Sequence, residues 1–335
     1  MLARSIIFLL LSLSACPLFA QQKYIMTVRG KVKADAIGRT LAHEHIVTNF
    51  IGAATVVDVP GDDSVVIAKI LPQLLRLKGQ GINTLIECTP NFIGRNPALL
   101  KKLSELSDLN IVTNTGLYSA VDKKYLPPYA FTENAAGIAS RWEAEWTNGI
   151  GGTGIRPGFI KLGAGSSALD SIEAKMLAAA ILLSRKSLLP IAIHSGSGQA
   201  AISAFEQLKK SNWKPEKLIW VHAQNGTDEE RAMLANEGVW ISLDGVSEKS
   251  WEQYAGMILF LKKRNMLHRL LISHDDGWAV LENGSYNKLD LFENGNSIPY
   301  STLFTKLLPA LKKAGVTESE IDMILRNNTG DCFSF

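Results

Sequence analysis

Six polar side chains that can bind metals or move protons lie at the ends of short apolar, β-branched segments of the sequence. They are His43, His45, Lys161, His194, His222 and Asp275. Imidazole and carboxylate groups are ligands that suit Zn²⁺ and its first-row neighbours. A single histidine at a strand end is more often a hydrogen-bonded structural residue than a ligand, but four of the 6 histidines of the chain belong to this set. Together the six residues predict a metal site.

Lys161 is the unusual member of this set. A buried ammonium group has no lone pair, and nearby divalent cations would repel it. A neutral amine would remove that repulsion. A carbamate, formed from the lysine and carbon dioxide, would also remove it and could bridge two metals with its two oxygens. The sequence leaves one further reading open, in which the lysine points outward and pairs with a carboxylate.

The segments that carry these residues alternate with helical patterns along the chain. The apolar runs cover residues 40–45, 82–89, 110–118, 158–163, 189–195, 218–222, 239–244 and 270–275. Between them, apolar residues recur with the period of a helix, as in 174–183, 200–210 and 254–264. Eight strand–helix units predict an α/β fold, a closed (β/α)₈ TIM barrel. The absence of Gly-x-Gly-x-x-Gly after the first strand argues against a dinucleotide-binding sheet.

The alternation of side chains along a strand predicts which residues face the mouth of the barrel. His43 and His45 lie two positions apart, so both point the same way, and Glu44 points the other way. The same alternation turns His274 away from the mouth and Asp275 towards it. Active sites of barrel enzymes lie at the carboxyl ends of the strands. Residues that are distant in sequence can therefore meet there in one cavity.

The composition is that of a soluble globular protein. The chain has 335 residues and a formal net charge of +3, and its lysines and arginines are spread along it. No basic patch indicates nucleic acid as a partner. The 3 cysteines, Cys16, Cys88 and Cys332, form neither a disulfide framework nor a Cys-x-x-Cys zinc motif. The composition does not fix the oligomeric state, and a homodimer stays open.

The N-terminal residues 1–20 predict a secretory signal peptide, followed by one barrel domain over 24–330. A short basic start precedes an apolar run at 6–13 that is too short to span a bilayer comfortably. Leu18–Ala20, before Gln21, resembles a signal-peptidase site and would give a periplasmic or secreted protein. Leu13–Cys16 resembles a bacterial lipobox and would leave Cys16 lipidated. We expect export in either case.

Several motifs resemble the phosphotriesterase-like branch of the amidohydrolase superfamily. They are Gly38–His45, Phe159–Lys161, Ile193–His194, Val221–His222 and Ser273–Asp275, with Ile93–Pro97, Thr115–Tyr118 and Pro309–Leu311 outside the candidate ligands. The resemblance covers residues 24–330 and keeps the order and spacing of all six candidate ligands. It implies a binuclear metal-dependent hydrolase within the TIM-barrel fold.

The resemblance also implies a role for each site residue. His43, His45 and Asp275 would bind one metal, and His194 and His222 the other. Lys161, carboxylated to N6-carboxylysine, would bridge the two metals together with a hydroxide. Asp275 would accept the proton of that hydroxide as it attacks the substrate. The metals would be Zn²⁺, with Mn, Co or Fe as alternatives.

The resemblance implies small-molecule substrates, namely lactones or carboxylic esters, with organophosphate triesters as a side activity. Tyr118 and Trp278 are the expected substrate contacts, and the alternative for each is a packing residue, at the barrel rim in the case of Tyr118. The chain departs from the family pattern at Gly245, where lactonase members often carry arginine, at Asp276–Gly277 before the tryptophan, and over 281–301. Hydrolysis of amides or phosphate esters is the alternative function, and a barrel that binds a ligand without turnover is a third.

Overall fold

The computed structural model describes residues 22–55, 63–280, 289–292 and 296–335. The predicted signal peptide over 1–20, with Cys16, lies outside the described residues, as does much of the segment 281–301. Within the described ranges, no helix has both the length and the apolar character needed to cross a membrane.

The described chain alternates strands and helices throughout. Its β-strands are β1 Tyr24–Thr27, β2 Gly30–Lys33, β3 Arg39–Glu44, β4 Val47–Thr48, β5 Ile82–Glu87, β6 Asn110–Val112, β7 Asn114–Thr115, β8 Phe159–Ala164, β9 Ile191–Ser195, β10 Leu218–Val221, β11 Trp240–Leu243, β12 Leu270–Ile272, β13 Trp278–Val280 and β14 Leu289–Leu291. Its α-helices are α1 Asp63–Gly79, α2 Pro97–Ser107, α3 Tyr129–Thr132, α4 Ala135–Asn148, α5 Ser171–Ser187, α6 Gly198–Lys210, α7 Asp228–Asn236, α8 Trp251–Lys263, α9 Leu308–Lys313, α10 Glu318–Asp322 and α11 Asn328–Phe333. Two π-helical segments, Leu303–Leu307 and Met323–Asn327, lead into α9 and α11.

The predicted TIM barrel is confirmed. Parallel pairing joins β3, β5 and β6 in one run and β7 to β12 in another. β6 and β7 are parts of one strand interrupted at Thr113, whose carbonyl accepts from the Gly158 amide at 2.8 Å. The barrel closes because Asp275 N donates to His43 O at 3.1 Å and His45 N donates to Asp276 O at 2.8 Å. This junction between the first and eighth strands is called the seam below.

The helices cover the barrel with apolar faces. In α6, Ala200, Ala204, Phe205 and Leu208 are all buried, at the i, i+4, i+5, i+8 spacing of one helix face. Burying a large side chain such as Phe205 or Leu208 contributes about 1.5–3 kcal/mol. α5 begins before the predicted 174–183 because Asp170, its N-cap residue, forms a capping box with Glu173 in the first turn. The strands are held by these contacts, so their carboxyl ends have fixed positions.

Two small sheets lie outside the barrel ring. The antiparallel pair β1–β2 begins the described chain, and Tyr24 exchanges two backbone hydrogen bonds with Phe335. At the opposite end, β13 pairs with β4 and β14. The second sheet therefore continues from the strand that carries His43 and His45 and forms part of the wall of the mouth.

Candidate metal centre

His43, His45 and Asp275 converge at the mouth of the barrel. Nε2 of His43 lies 3.3 Å from Nε2 of His45. Oδ1 of Asp275 lies 3.3 Å from Nε2 of His43 and 3.0 Å from Nε2 of His45. One donor atom from each residue falls within 4.8 Å of the others. The three side chains predicted to share one metal therefore form a compact, mostly buried cluster.

His194 and His222 lie next to this cluster, as predicted. Their ring centroids are 4.4 Å apart, and the His222 ring is 5.1 Å from that of His43.

Lys161, on β8, is only 2% exposed. Burial is the main cause that lowers the pKa of His43 and of His194, and the charge of Lys161 lowers both further, so Lys161 lies near the two rings. In the described part of the chain it has no carboxylate partner, which removes the support for a lysine that pairs outside the barrel.

The site keeps His43, His194 and its carboxylate in the forms that bind metals. Burial lowers the pKa of His43 to about 4, against the opposing charge of Asp275. Burial also lowers the pKa of His194, and the neighbouring His222 lowers it further. Burial would raise the pKa of Asp275, but His43 and His45 outweigh it and lower that pKa overall. Neutral imidazoles have a free lone pair and the carboxylate is charged, so both can coordinate a cation.

Asp244, just after β11, holds two of these histidines in orientation. Its Oδ2 lies 3.0 Å from Nδ1 of His43 and its Oδ1 lies 2.7 Å from Nδ1 of His222. The Ser242 hydroxyl donates to it at 2.7 Å. Burial would raise the pKa of Asp244, but the two histidines keep it well below its usual range. Since Nδ1 of each histidine is engaged, Nε2 of each is left to face a metal.

Sequence reasoning did not assign Asp244 to the site. Asp244 ends the predicted strand 239–244, so it carries the same strand-end signal as the six residues that were selected. Its carboxylate raises the pKa of His222 overall, although burial opposes this. Asp244 was therefore detectable from its position, but its histidine partners were not.

Glu44 holds the seam on the outer side of β3. Its Oε1 accepts from the Ser273 hydroxyl at 2.7 Å, from the His274 amide at 3.0 Å and from Nδ1 of His274 at 2.8 Å. Its Oε2 accepts from the Asp276 amide at 2.9 Å. Burial raises the pKa of Glu44 to about 8, and these donors oppose the rise. Glu44 thus fixes the strand of His43 and His45 relative to Asp275, while Glu44 and His274 both point away from the mouth.

Two residues of the site adopt left-handed backbone conformations. His222 has φ 61° and Asp275 has φ 58°. Non-glycine residues adopt this region rarely, and such strain persists only where surrounding contacts impose it. The Asp244 carboxylate accepts from the His222 amide at 3.1 Å, and the Asp275 amide donates across the seam. The contacts that orient the two side chains also support their backbones.

The donor set fits two divalent metal ions. Four imidazoles and one carboxylate converge around a buried lysine, and Asp244 engages Nδ1 of two imidazoles, so that their Nε2 atoms are the nitrogens that can face a metal. Hydrogen bonds between ligand histidines and an outer carboxylate are a regular feature of metal sites.

A rim of aromatic side chains borders one side of the cluster. Tyr118 packs on His194, with ring centroids 5.1 Å apart, and Tyr118 and Tyr125 are 5.9 Å apart. The rim continues through Phe50 and Phe292 and returns to His45, with centroid separations of 6.4, 5.9 and 5.4 Å. We call Tyr118, Tyr125, Phe50 and Phe292 the aromatic rim. It can bind an apolar part of a substrate next to the metal ligands.

Two glycines make room for the aromatic rim. A Cβ atom on Gly163 would lie 2.7 Å from the Tyr118 ring, and one on Gly277 would lie 2.5 Å from both Phe292 and His45. This explains the unusual Asp-Gly pair before Trp278: Asp276 donates its amide to Glu44, and Gly277 allows Phe292 to approach His45.

Tyr118 lies beside the candidate metal ligand His194. Burial raises the pKa of its phenol, and the charge of Asp275 raises it further, so the hydroxyl stays protonated. Trp278, the second expected substrate contact, does not lie there. It is 2% exposed and packs in the core against Tyr300, with ring centroids 5.7 Å apart. Its place on β13 directs it away from the mouth, and Phe292 lies against His45 instead.

Comparisons with known proteins agree with this geometry. The family model described as the phosphotriesterase family matches residues 23–333. The chain is 24% identical over 306 residues to the phosphotriesterase homology protein of Escherichia coli, covering 89% of this chain and 99% of that protein. It is 25% identical to the phospho-furanose lactonase of Mycoplasmopsis agalactiae, covering 94% and 93% of the two chains.

A solved structure is also similar. A mutant PTE-like lactonase from Deinococcus radiodurans superimposes with a TM-score of 0.82 at 27% identity, covering 92% of this chain and 99% of that chain. The match of the family model spans almost all of the described barrel, including every candidate ligand. This chain belongs to the phosphotriesterase family.

Proposed function

We propose that this protein is a binuclear metal-dependent hydrolase that cleaves lactones or related carboxylic esters, with phosphotriesters as a side activity. The observation that carries the proposal is the convergence of four histidines, one lysine and one aspartate in a buried site bordered by an aromatic rim.

The proposed ligand assignment follows the clustering of donor atoms. His43, His45 and Asp275 hold one ion, as their 3.0–3.3 Å contacts suggest. His194 and His222 hold the second. Lys161, if carboxylated, would serve both ions, because its buried position without a carboxylate partner suits a carbamate better than an ammonium group. Zn²⁺ is the proposed metal, since imidazole and carboxylate donors suit it.

The residues of the chain have separate roles in the proposed reaction. When bound, the two cations lower the pKa of water so that hydroxide exists near neutral pH, and they polarise the scissile carbonyl. Asp275 accepts a proton, because the neighbouring histidines keep it as a carboxylate. Tyr118 donates a hydrogen bond to the leaving oxygen, because burial keeps its phenol protonated. The aromatic rim excludes water and binds the apolar part of the substrate.

The preference for lactones rests on two supports. Two of the similar proteins are named as lactonases, the phospho-furanose lactonase and the PTE-like lactonase. Tyr118 also lies beside His194, where it can reach an oxygen leaving from the scissile carbon. The metal ligands alone would serve a carbon or a phosphorus centre equally well.

We also propose that the protein is exported. The support is the sequence of residues 1–20, and the mature chain would begin near Gln21, or at Cys16 if the lipobox is used.

A substrate panel tests the proposal. The metal-loaded protein is assayed against lactones, carboxylic esters, amides and phosphotriesters, with chelator-treated protein and Asp275→Asn as controls. We expect kcat/KM to be higher for a lactone or carboxylic ester than for any phosphotriester, and Asp275→Asn to reduce both activities. If an amide or a phosphate ester is the best substrate, the alternative function is correct. If metal binds but no class is hydrolysed, the barrel only binds ligands.

A further inference from the structure

The corner of the mouth next to β11 has a polar group that the proposed chemistry does not use. Gly245 lies there, directly after Asp244. A Cβ atom on Gly245 would lie 2.4 Å from the hydroxyl oxygen of Tyr254 and 3.1 Å from Nε2 of Gln224. Non-bonded atoms do not pack at 2.4 Å, so the Tyr254 hydroxyl occupies the space that a side chain at position 245 would need. The position of the Tyr254 hydroxyl therefore requires a glycine at position 245.

The turn before α8 holds Tyr254 in this position. The Ser250 hydroxyl donates to Gly245 O at 3.0 Å, and the Ser247 amide donates to the same hydroxyl at 3.0 Å. The Tyr254 amide donates to Ser250 O at 3.2 Å. Tyr254 is 4% exposed, and its ring packs in the hydrophobic core. The hydroxyl is thus fixed by the backbone on one side and by packing on the other.

The Tyr254 phenol is neutral and lies close to the candidate metal centre. Burial raises its pKa, and the charges of Asp244 and then Asp275 raise it further. Asp244 holds His43 and His222, and Asp275 is itself a candidate ligand. The Tyr254 hydroxyl therefore lies within electrostatic reach of the site and keeps its proton. The Gly245 backbone hydrogen-bonds to the phenol oxygen, and among the described residues the hydroxyl proton has no acceptor, so the hydroxyl can still donate.

Tyr254 and Tyr118 approach the centre from opposite sides. β7 belongs to the third strand of the barrel and β11 is the seventh, so they face each other across a ring of eight. Tyr118 follows β7, and Tyr254 lies against the end of β11. The charge of Asp275 raises the pKa of both phenols. The two phenols therefore belong to opposite sides of the ring of strands that surrounds the candidate centre.

We propose that Tyr254 is a specificity-determining residue whose hydroxyl donates a hydrogen bond to an oxygen of the bound substrate, opposite Tyr118. This inference rests on the proposed function. It narrows the substrate to a lactone or ester that places an acceptor oxygen on the β11 side, such as a hydroxyl or carbonyl substituent. A site built to bind such an oxygen discriminates against the analogue that lacks it.

The test uses the metal-loaded protein with its best lactone or ester substrate. The variants are Tyr254→Phe, Gly245→Ala and the double variant, and the control is Tyr129→Phe, whose ring packs on Arg141. Loss of one hydrogen bond predicts a fall in kcat/KM of roughly fivefold to fiftyfold in Tyr254→Phe, with unchanged metal content and melting temperature. The Kd of the ring-opened hydroxy acid, followed by tryptophan fluorescence, should rise together with KM. Tyr129→Phe should match the wild type.

Gly245→Ala supplies an independent test of the geometry. Its methyl group displaces the phenol, so we expect a loss similar to that of Tyr254→Phe. In the double variant the alanine should add little, because the ring carbon Cζ lies at an ordinary 3.5 Å from that Cβ and the remaining close atom, Nε2 of Gln224 at 3.1 Å, is the end of a flexible side chain that can move by a few tenths of an ångström. If Tyr254→Phe retains wild-type kcat/KM and product affinity, or if the two losses multiply, the inference is overturned while the proposed function stands. If the wild type hydrolyses no lactone or ester, the proposed function fails and the inference fails with it.

Discussion

The replacement of Asp244 by asparagine should weaken both metal sites at once. Asp244 accepts from His43 at 3.0 Å and from His222 at 2.7 Å, and these histidines belong to different proposed metals. An asparagine has one carbonyl oxygen, so its amide NH₂ must face one of the two Nδ1–H donors. Asp244 and His43 are 0% and 1% exposed, so water cannot satisfy the unpaired donor. Such a donor costs about 1–3 kcal/mol.

That cost sets the size of the expected effect. Since about 1.4 kcal/mol corresponds to a tenfold change in an equilibrium constant, we expect metal affinity to fall roughly fivefold to a hundredfold. This range agrees with the loss of about 10- to 100-fold in metal affinity or activity that is typical when a residue hydrogen-bonded to a metal ligand is replaced. Chelator competition measures the affinity, kcat/KM measures the activity, and the melting temperature of the metal-free protein shows whether the barrel is folded.

A matched control separates this effect from a general loss of charge. Asp331→Asn removes a carboxylate that is 62% exposed and paired with Lys23 far from the mouth. It should leave metal affinity and kcat/KM within about twofold of the wild type, as expected for a surface ion pair. If Asp244→Asn binds both metals as tightly as Asp331→Asn and keeps its activity, Asp244 does not orient the ligands and the reasoning is wrong.

The remaining predictions concern the seam, the rim and the N-terminus. Glu44→Gln loses the bond from the Asp276 amide, so stability should fall by about 1–3 kcal/mol, seen as a lower melting temperature; an unchanged melting temperature would contradict the role given to Glu44. Tyr118→Phe should reduce lactone turnover by roughly tenfold, and phosphotriester turnover less; equal losses in the two assays would remove Tyr118 from lactone binding. N-terminal sequencing of the exported protein should show a start near Gln21, whereas a start at Cys16 would indicate the lipoprotein and a retained Met1 on soluble cytoplasmic protein would contradict export.

The barrel was predictable because its pattern is local. Each strand is a short apolar run, and each helix shows its own period. The period of two also fixed the directions of Glu44 and His274 without knowledge of the fold. The six selected side chains meet because parallel strands place their carboxyl ends at one face of a barrel. The order of the strands in the sequence thus predicts where a residue lies around the barrel, and the alternation along its strand predicts the direction of its side chain.

The contacts between distant segments were not predictable in this way. Asp244 is 201 residues from its partner His43. Tyr254 begins a predicted helical pattern, and that pattern does not show that its hydroxyl reaches the space beside Gly245. The family resemblance offered Trp278 as a wall of the pocket, with packing as the alternative, but on β13, which pairs with β4, it packs against Tyr300 in the core. Such placements depend on packing between elements, which a single sequence does not reveal.

The metal content of the purified protein tests the central claim most directly. After reconstitution with Zn²⁺ and bicarbonate, elemental analysis should give about two ions per chain, as expected for a two-metal site. Lys161→Met should lose most of this metal, because methionine cannot form a carbamate and offers neither charge nor oxygen to a cation. Trace metal in the reconstituted wild type, or two ions retained in Lys161→Met, would contradict the proposed centre.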